Sequence, residues 1–152
     1  MPKLTSQRGF TLIELLVTIA LIAIIAVIAV PQFGNMIERN RVVSKTNSIV
    51  GLLNFARGEA IRRNVLVEVD FSADPISAQL QDGTVIRAIE TMESGTTVVT
   101  SIAANEVVFR SNGMAGNQEI VIRVCSGDAE GREIVVDPGG RLNSRIPVTA
   151  CS

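Results

Sequence analysis

Few residues in this sequence have side chains that could carry out catalysis. The 152 residues include no histidine, which excludes a histidine-based nucleophilic triad and an HExxH zinc helix. The sequence also lacks the GxSxG nucleophile elbow and the GxxxxGK[ST] phosphate loop. We therefore predict a protein that is not an enzyme and that needs no cofactor.

The acidic side chains form two candidate groups. Glu68 and Asp70 fall on one face of a stretch with period-two alternation, which is typical of the solvated face of a strand. Asp128 and Glu130 could contact Ca²⁺, but a calcium site needs six or more oxygen ligands. An acidic turn is the simpler interpretation, and we predict no metal site.

The longest apolar segment runs from Phe10 to Val30 and contains a single acid, Glu14, near its start. This length meets the roughly 20 residues that a helix needs to cross a membrane, so we predict a transmembrane helix. Lys3 and Arg8 precede the segment, and no small-residue cleavage site follows it. An ordinary secretory signal is therefore not predicted.

The start of this segment resembles a known processing motif. The sequence GFTLIE at residues 9–14, followed by an uninterrupted apolar run, resembles the cleavage and methylation motif of type IV pilins and type II secretion pseudopilins. The resemblance implies that a prepilin peptidase cleaves between Gly9 and Phe10 and methylates the new amino group of Phe10. It also implies the partners of the chain, which are the inner membrane and other pilins in a filament.

Glu14 is the one ionisable residue inside the predicted span. An ionised carboxylate at membrane depth is costly unless it is paired, so its presence calls for a partner. The resemblance supplies one, the amino terminus of Phe10 on the same or a neighbouring subunit, and implies that Glu14 serves filament assembly. Alternatively, Glu14 lies at the level of the lipid headgroups.

Charge distribution predicts the orientation of the chain. Lys3 and Arg8 should hold the leader, residues 1–9, on the cytoplasmic side of the inner membrane. Residues 10–31 then form the transmembrane and filament-core helix, and residues 32–152 form a periplasmic globular domain that reaches the pilus fibre or its tip after assembly. Pro31 either kinks or locally unwinds the helix, or marks where it leaves the bilayer.

Hydrophobic periodicity predicts an α+β architecture for this domain. Between residues 32 and 63, apolar residues recur at helical spacing, whereas from Val65 onward the period changes to two. A long helix followed by strands predicts that the helix packs on a mainly antiparallel sheet, with Asp82-Gly83 as a hairpin turn. The apolar stripe of the helix comprises Val42, Ile49, Leu52, Leu53, Ala56, Ala60 and Ile61. The predicted strands are residues 65–71, 77–81, 84–89, 96–100, 106–110, 119–125 and 132–136.

The second half of the chain resembles the GspH/FimT branch of minor pilins and pseudopilins. The resemblance rests on FRSNG at residues 109–113, on two later strands and on Gly140-Arg141. It implies the type IV pilin fold, in which a long N-terminal helix packs on a C-terminal antiparallel sheet. We favour a minor pilin that forms or primes a type IV pilus, and the alternative is a GspH-like minor pseudopilin of a type II secretion system.

Cys125 and Cys151 lie in the domain that is predicted to face the periplasm. An even number of cysteines in an oxidising compartment favours a disulfide, whereas a redox or metal role would need a CxxC motif or histidine. We predict a structural Cys125–Cys151 bridge that holds the C-terminal tail on the strand of Cys125. Its contribution to stability would be roughly 3–4 kcal/mol.

The tail after Asp137 contains Arg141 and Arg145 but no acid. Arginine suits phosphate, and some FimT-type minor pilins bind DNA through a C-terminal Gly-Arg-x-Arg motif. Gly140-Arg141 matches that motif, whereas Arg145 stands two positions later than it requires. The resemblance makes double-stranded DNA a candidate partner and natural transformation a candidate role, with a solvated turn as the alternative. The tail has no aromatic residue for base stacking, so binding should be weak and independent of sequence.

Overall fold

The computed structural model of this protein describes residues 10–92, 94–127 and 130–146, with Pro31 described by its backbone alone. The chain divides into two compact units, one ending at Met36 and the other beginning at Ile37. A single helix is followed by eight strands in the described part of the chain, which confirms the α+β fold. The helix is α1 (Leu12–Arg63), and the strands are β1 (Val67–Asp70), β2 (Ser77–Leu80), β3 (Val85–Ala88), β4 (Thr96–Thr100), β5 (Glu106–Phe109), β6 (Ile120–Ser126), β7 (Arg132–Val136) and β8 (Leu142–Arg145).

Local hydrogen bonds end α1 where the periodicity changes. Asn64 has a φ of 57°, and its N–H donates to the Ile61 carbonyl while the N–H of Val65 donates to the Ala60 carbonyl. This pair of bonds is the Schellman arrangement, in which a residue in the left-handed region closes the last helical turn. The backbone of α1 stays helical at Pro31, so the local unwinding that the sequence left open is not observed.

The strands form two antiparallel sheets of four strands each, rather than the single sheet that the sequence predicted. Sheet A has the order β3-β2-β1-β5, and sheet B has the order β4-β6-β7-β8. The predicted hairpin at Asp82-Gly83 is confirmed, because β2 pairs with β3 and Gly83 has a φ of 82°. Period-two alternation shows which residues form strands but not which strands pair, so it could not separate the two sheets.

One hydrophobic core joins the two sheets to the second half of α1. The predicted helix stripe is confirmed at six positions, which are fully buried, whereas Ile61 is half exposed and its prediction was wrong. The sheets contribute alternate residues to the same cluster, as β-strand geometry requires. The helix residues are Val42, Ile49, Leu52, Leu53, Ala56 and Ala60, and the sheet residues include Val67, Val69, Val107, Phe109, Ile122, Val124, Ile134 and Val136.

Strand β8 was not predicted from the sequence. Its residues LNSR contain one apolar side chain and therefore lack the alternation that indicates a strand. The strand exists because β7 offers a partner, with Val136 opposite Leu142 and Glu133 opposite Arg145. This pairing corrects the interpretation of the tail as a solvated turn for Arg145, which lies in a sheet; Arg141 precedes the strand and is exposed.

Candidate functional site

The predicted processing site lies at the beginning of α1. Gly9 is outside the described residues, and Phe10 stands just before the helix with its side chain 85% exposed. The N–H of Glu14 donates to Oγ1 of Thr11 at 3.3 Å. Thr11 therefore acts as the N-cap of the helix and Glu14 occupies the N3 position, an arrangement that also favours an acid because of the helix dipole. This local role of Glu14 was missed, although the T-x-x-E spacing in residues 11–14 could have indicated it.

The first half of α1 presents an unburied apolar surface. Every large apolar side chain from Phe10 to Val30 is more than half exposed. Within the described residues, α1 is the one helix that is long and apolar enough to cross a membrane. A surface of this kind is costly in water, so it must be covered by lipid or by other protein chains.

Cys125 lies in β6, opposite Thr97 of β4. The structure holds Cys125 as a disulfide-bonded residue rather than as a free thiol. Its predicted partner Cys151 lies outside the described residues, so the Cys125–Cys151 pairing stays a prediction.

Both tail arginines face carboxylates that precede them in the chain. Arg145 Nε lies 3.1 Å from Oε2 of Glu133, and Arg123 binds the other oxygen of the same carboxylate with an Nη2–Oε1 distance of 2.8 Å. These three side chains form a row across β6, β7 and β8, because Glu133 is opposite both arginines in the sheet. The absence of acids after Asp137 therefore does not make the tail a free basic segment.

Glu133 is the central residue of this row, and only 7% of its side-chain surface is exposed. The hydrogen bond from Arg123 lowers the pKa of Glu133 below its ordinary value, burial opposes that shift, and the hydrogen bond from Arg145 adds to it. The carboxylate is thus kept ionised between two guanidinium groups. The row keeps one surplus positive charge, and Arg145 remains 55% exposed.

Arg141 is held by the turn between β7 and β8. Its backbone N–H donates to Oδ1 of Asp137 at 2.9 Å, and its Nε lies 3.7 Å from Oδ2 of the same residue. The side chain is 78% exposed. The predicted pair therefore divides between two settings, since Arg145 belongs to the sheet and Arg141 to a surface turn.

Arg57 is a positioning residue that the sequence analysis missed. Its Nε donates to the Gly113 carbonyl at 3.1 Å, and its Nη2 donates to the Gly139 carbonyl at 3.4 Å. Arg57 therefore connects α1 to the turn after β5 and to the turn between β7 and β8. Its position off the apolar stripe of the helix gave no signal for this role.

Glycine is required at both turns that Arg57 contacts. Gly113 and Gly140 have φ angles of 79° and 77°, in the left-handed region that favours glycine. A Cβ at Gly140 would overlap the Gly113 carbonyl oxygen, and a Cβ at Gly113 would lie 2.8 Å from Ile61 Cδ1. The FRSNG segment and Gly140-Arg141, which carried the family resemblance, are thus the two halves of one packed junction.

An acidic cluster occupies the outer face of sheet A. Glu106 of β5 lies directly opposite Asp70 of β1, with Glu68 diagonal to it, and Glu68 accepts a hydrogen bond from Gln79 at 3.0 Å. Partial burial raises the pKa of Glu106 above its ordinary value, and the charges of Glu68 and Asp70 raise it further. Among the described residues, no three or more acidic or cysteine side chains are arranged so that they could hold a metal ion; Asp128, from the candidate calcium turn, lies outside those residues.

A cleft of about 900 Å³ lies between the second half of α1 and residues 87–92. Its lining includes the basic residues Arg41, Lys45 and Arg87. Lys45 Nζ donates to the carbonyls of Glu90 and Thr91 at 2.8 and 3.1 Å, and the Arg87 guanidinium lies 5.0 Å from the centroid of the Phe55 ring. Lys45 and Arg87 therefore help to hold the chain around the cleft.

Comparisons with known proteins agree with this geometry. The family profile described as type II transport protein GspH matches residues 45–140, and the profile of the prokaryotic N-terminal methylation motif matches residues 4–30. A search of curated protein sequences gives no significant match.

Two crystal structures of the type IV minor pilin FimU from Pseudomonas aeruginosa are similar to this chain. The first, in space group P21, has a TM-score of 0.64 and 20% sequence identity. The aligned region covers 76% of this chain and 98% of the FimU chain. The second, in space group P65, has a TM-score of 0.57 and 18% sequence identity. The aligned region covers 72% of this chain and 98% of the FimU chain. At these identities the likeness establishes the fold, which is that of a type IV pilin with a long N-terminal helix and antiparallel sheets. By its family match and its methylation motif, the chain belongs to the GspH family of pilins and pseudopilins, whose members are structural components of filaments and not enzymes.

Proposed function

We propose that this protein is a minor pilin, incorporated into a type IV pilus through α1 after cleavage between Gly9 and Phe10 and methylation of Phe10. Membership of the family implies processing by a prepilin peptidase and assembly with other pilins. The observation that supports the proposal most is the unburied apolar surface of α1, in which every large side chain from Phe10 to Val30 is more than half exposed. Before assembly lipid covers this surface, and in the fibre the helices of neighbouring subunits cover it. The domain beyond the membrane segment then faces the periplasm.

Glu14 is the residue through which this proposal can be tested. Glu14→Ala should leave cleavage at Gly9-Phe10 largely intact but reduce the amount of the protein in sheared pili, because the partner of the Phe10 amino group is lost. Glu14→Gln should have the same effect, since it keeps the shape and removes the charge. The measurement is immunoblotting of the sheared-pilus and membrane fractions.

Thr18→Ala is the matched control, because Thr18 is also a polar residue of the apolar segment and its hydroxyl donates to the Leu15 carbonyl of its own helix. It should be incorporated normally. Normal incorporation of Glu14→Ala would contradict the assembly role and would leave Glu14 as part of the helix cap with Thr11.

A minor pseudopilin of a type II secretion system is the alternative, and the family profile carries that name. The two functions predict different losses in a deletion strain. Loss of surface pili with normal protein secretion would support the pilus, whereas retained pili with secreted enzymes trapped in the periplasm would support the pseudopilus. Complementation with the intact gene is the control in both assays.

A DNA-receptor role is a finer hypothesis for the same protein. Arg141 and Arg145 are both more than half exposed, which favours contact with phosphate, but each already faces a carboxylate. If they bind DNA, the full chain in detergent should retard duplex DNA at low salt and release it as salt rises. Arg141→Gln with Arg145→Gln should abolish the retardation without unfolding the domain.

The matched control is Arg62→Gln with Arg63→Gln, which removes the same charge from two arginines that also face a carboxylate, that of Glu59. This control should retain binding. Loss of binding in the control alone would move the site to the end of α1. No retardation by the parent chain would leave only the structural role.

A further inference from the structure

Strand β5 forms one edge of sheet A. The sheet has the order β3-β2-β1-β5, and among the described residues β1 is the only strand that pairs with β5. No strand of the described residues therefore lies on the opposite side of β5. An unpaired edge presents backbone donors and acceptors in the pattern that another strand needs.

The alternation of hydrogen bonds between β1 and β5 shows which backbone groups of β5 face its open side. The Phe71 N–H donates to the Asn105 carbonyl at 2.8 Å, and in an antiparallel pair the residues that exchange hydrogen bonds alternate. Val107 and Phe109 therefore direct their backbone groups toward β1, whereas Glu106 and Val108 direct theirs toward the open side. Within the described residues, neither Glu106 nor Val108 makes a backbone hydrogen bond outside the β1–β5 ladder.

A groove of about 730 Å³ runs beside this edge. Apolar side chains in its lining include Leu66, Val108 and Ile120. Turns close both ends of the exposed edge: the Asn105 N–H donates to the Ile102 carbonyl at 3.2 Å, and the Arg110 N–H donates to the Met114 carbonyl at 2.9 Å. The groove is thus bounded to the length of a short strand, with backbone groups on one side and apolar surface around them.

The two ends of the edge differ in charge. Glu106 lies at the first end, beside Glu68 and Asp70 on the outer face of sheet A. Partial burial raises its pKa, and the charges of those two carboxylates raise it further. Arg110 lines the groove at the other end. A cationic side chain placed next to Glu106 would relieve the repulsion, so the charges favour a partner with lysine or arginine on the face toward the acids.

We propose that the open edge of β5 is a docking site for an extended strand of a neighbouring pilin subunit, which adds to sheet A and places a basic side chain beside Glu106. The strand would exchange hydrogen bonds with the backbones of Glu106 and Val108, and its alternate apolar side chains would enter the groove next to Leu66 and Ile120. Backbone hydrogen bonds supply affinity in strand addition, and the side-chain positions supply specificity.

The inference rests on the proposed function for the source of the strand, because a pilus subunit is surrounded by other pilins. The docking experiment uses a synthetic probe and does not depend on incorporation into a fibre. Failure of the probe would therefore leave the pilus assignment standing, and failure of the Glu14 test would leave the groove standing.

The probe is a fluorescein-labelled pentapeptide of alternating lysine and valine with lysine at both ends, titrated with the full chain in an uncharged detergent. We expect saturable binding by fluorescence anisotropy. The matched probe, with glutamate in place of lysine, should bind at least about tenfold more weakly because its charges repel Glu106, Glu68 and Asp70.

Two isomeric probes test the backbone contact. One is N-methylated at the two valines and the other at the last two lysines, so each blocks two N–H groups on one edge of the peptide. Strand addition predicts that one isomer loses at least about tenfold in affinity and that the other binds as the parent probe does. Equal binding of both isomers, or equal loss, would overturn the proposal.

On the protein side, Val108→Pro removes the outward N–H and should abolish probe binding, whereas Val108→Thr keeps that N–H and should retain it. Thermal unfolding verifies that both variants are folded. If Val108→Pro does not fold, Glu106→Lys serves instead, and it should reverse the preference between the lysine and glutamate probes.

No binding of the lysine probe at millimolar concentration, or binding that is unchanged in Val108→Pro, would overturn the proposal. Self-association of the parent chain, measured by sedimentation and lost in Val108→Pro, would assign the edge to a second copy of this chain and overturn the neighbouring-subunit assignment.

Discussion

Glu133 and Glu106 are both strand residues, but their cross-strand neighbours carry opposite charges. Glu133 stands opposite Arg123 and Arg145, whereas Glu106 stands opposite Asp70. A cross-strand pair of opposite charges stabilises a sheet, and a like-charged pair destabilises it by a similar amount. The same residue type therefore has opposite effects on the two sheets, and the pKa values of the two carboxyl groups move in opposite directions.

Replacing Glu106 should stabilise the domain at neutral pH. Its folded pKa is raised, so the folded state binds the proton more tightly, and stability falls as pH rises from the unfolded pKa through the folded one. Glu106→Gln should raise the free energy of unfolding at pH 7 by about 0.2–1 kcal/mol, the range for cross-strand charge pairs. It should have little effect at pH 4. Urea unfolding at both pH values measures this difference, and a variant that is less stable at pH 7 would contradict it.

Removing Glu133 should destabilise the domain. Glu133→Ala leaves Arg123 and Arg145 without their shared carboxylate and should lower the free energy of unfolding by about 1–3 kcal/mol, as expected when partly buried polar groups lose their partner. Because the folded pKa of Glu133 is lowered, its contribution is present above the unfolded pKa and is lost as pH falls through the folded one. Glu59→Ala, which breaks a pair with Arg62 and Arg63 within one helix, is the control and should change stability less. Equal losses in the two variants would contradict this interpretation.

At the scale of elements, two turns and one helix side chain hold the domain together. Arg57 reaches from α1 to the Gly113 and Gly139 carbonyls, and the Ala115 N–H donates to the Pro138 carbonyl at 3.0 Å. These bonds join the connection after β5 to the turn between β7 and β8. The turn between β7 and β8 then positions β8, and with it Arg145.

Gly140→Ala should disrupt this junction. It combines a left-handed φ of 77° with a Cβ that overlaps the Gly113 carbonyl, and should cost about 2–3 kcal/mol, the upper part of the usual range for one substitution. Gly116→Ala is the matched control, because Gly116 has a φ of 107° but nothing within 4 Å of the added Cβ. The control should lose less, about 1 kcal/mol. Thermal unfolding compares them, and equal losses would show that backbone conformation alone matters.

At the scale of the whole molecule, the chain combines two different kinds of surface. The first half of α1 exposes apolar side chains for lipid or other helices, whereas the second half is buried against both sheets. The globular unit is small, and small domains gain much from a covalent link. The predicted Cys125–Cys151 bridge would provide one by holding the tail after β8 on β6.

Cys151→Ser should lower the free energy of unfolding by roughly 3–4 kcal/mol, because the open chain gains conformational freedom when unfolded. Reduction of the parent protein should give the same loss, and Cys125→Ser should match Cys151→Ser. The helix and sheets should remain recognisable by circular dichroism. Mass analysis of the non-reduced parent that shows two free thiols would contradict the bridge.

The sequence by itself determined the features that depend on local composition and period. The apolar run from Phe10 to Val30, the buried stripe from Val42 to Ala60, the hairpin at Asp82-Gly83 and most of the strands follow from side-chain type and spacing, because helices and strands repeat at fixed intervals. The GFTLIE motif, which carried the resemblance to the family, is also a contiguous stretch of sequence. These features need no knowledge of which distant residues meet.

Only the tertiary structure decided the features that depend on pairing between distant segments. It divided the strands into two sheets, formed β8 against β7, and placed Glu133 between Arg123 and Arg145. It also placed Arg57 where its side chain connects two glycine turns. Hydrogen bonds and charges act between groups that are close in space, and residues such as Arg57 and Gly139 become neighbours only once the chain has folded.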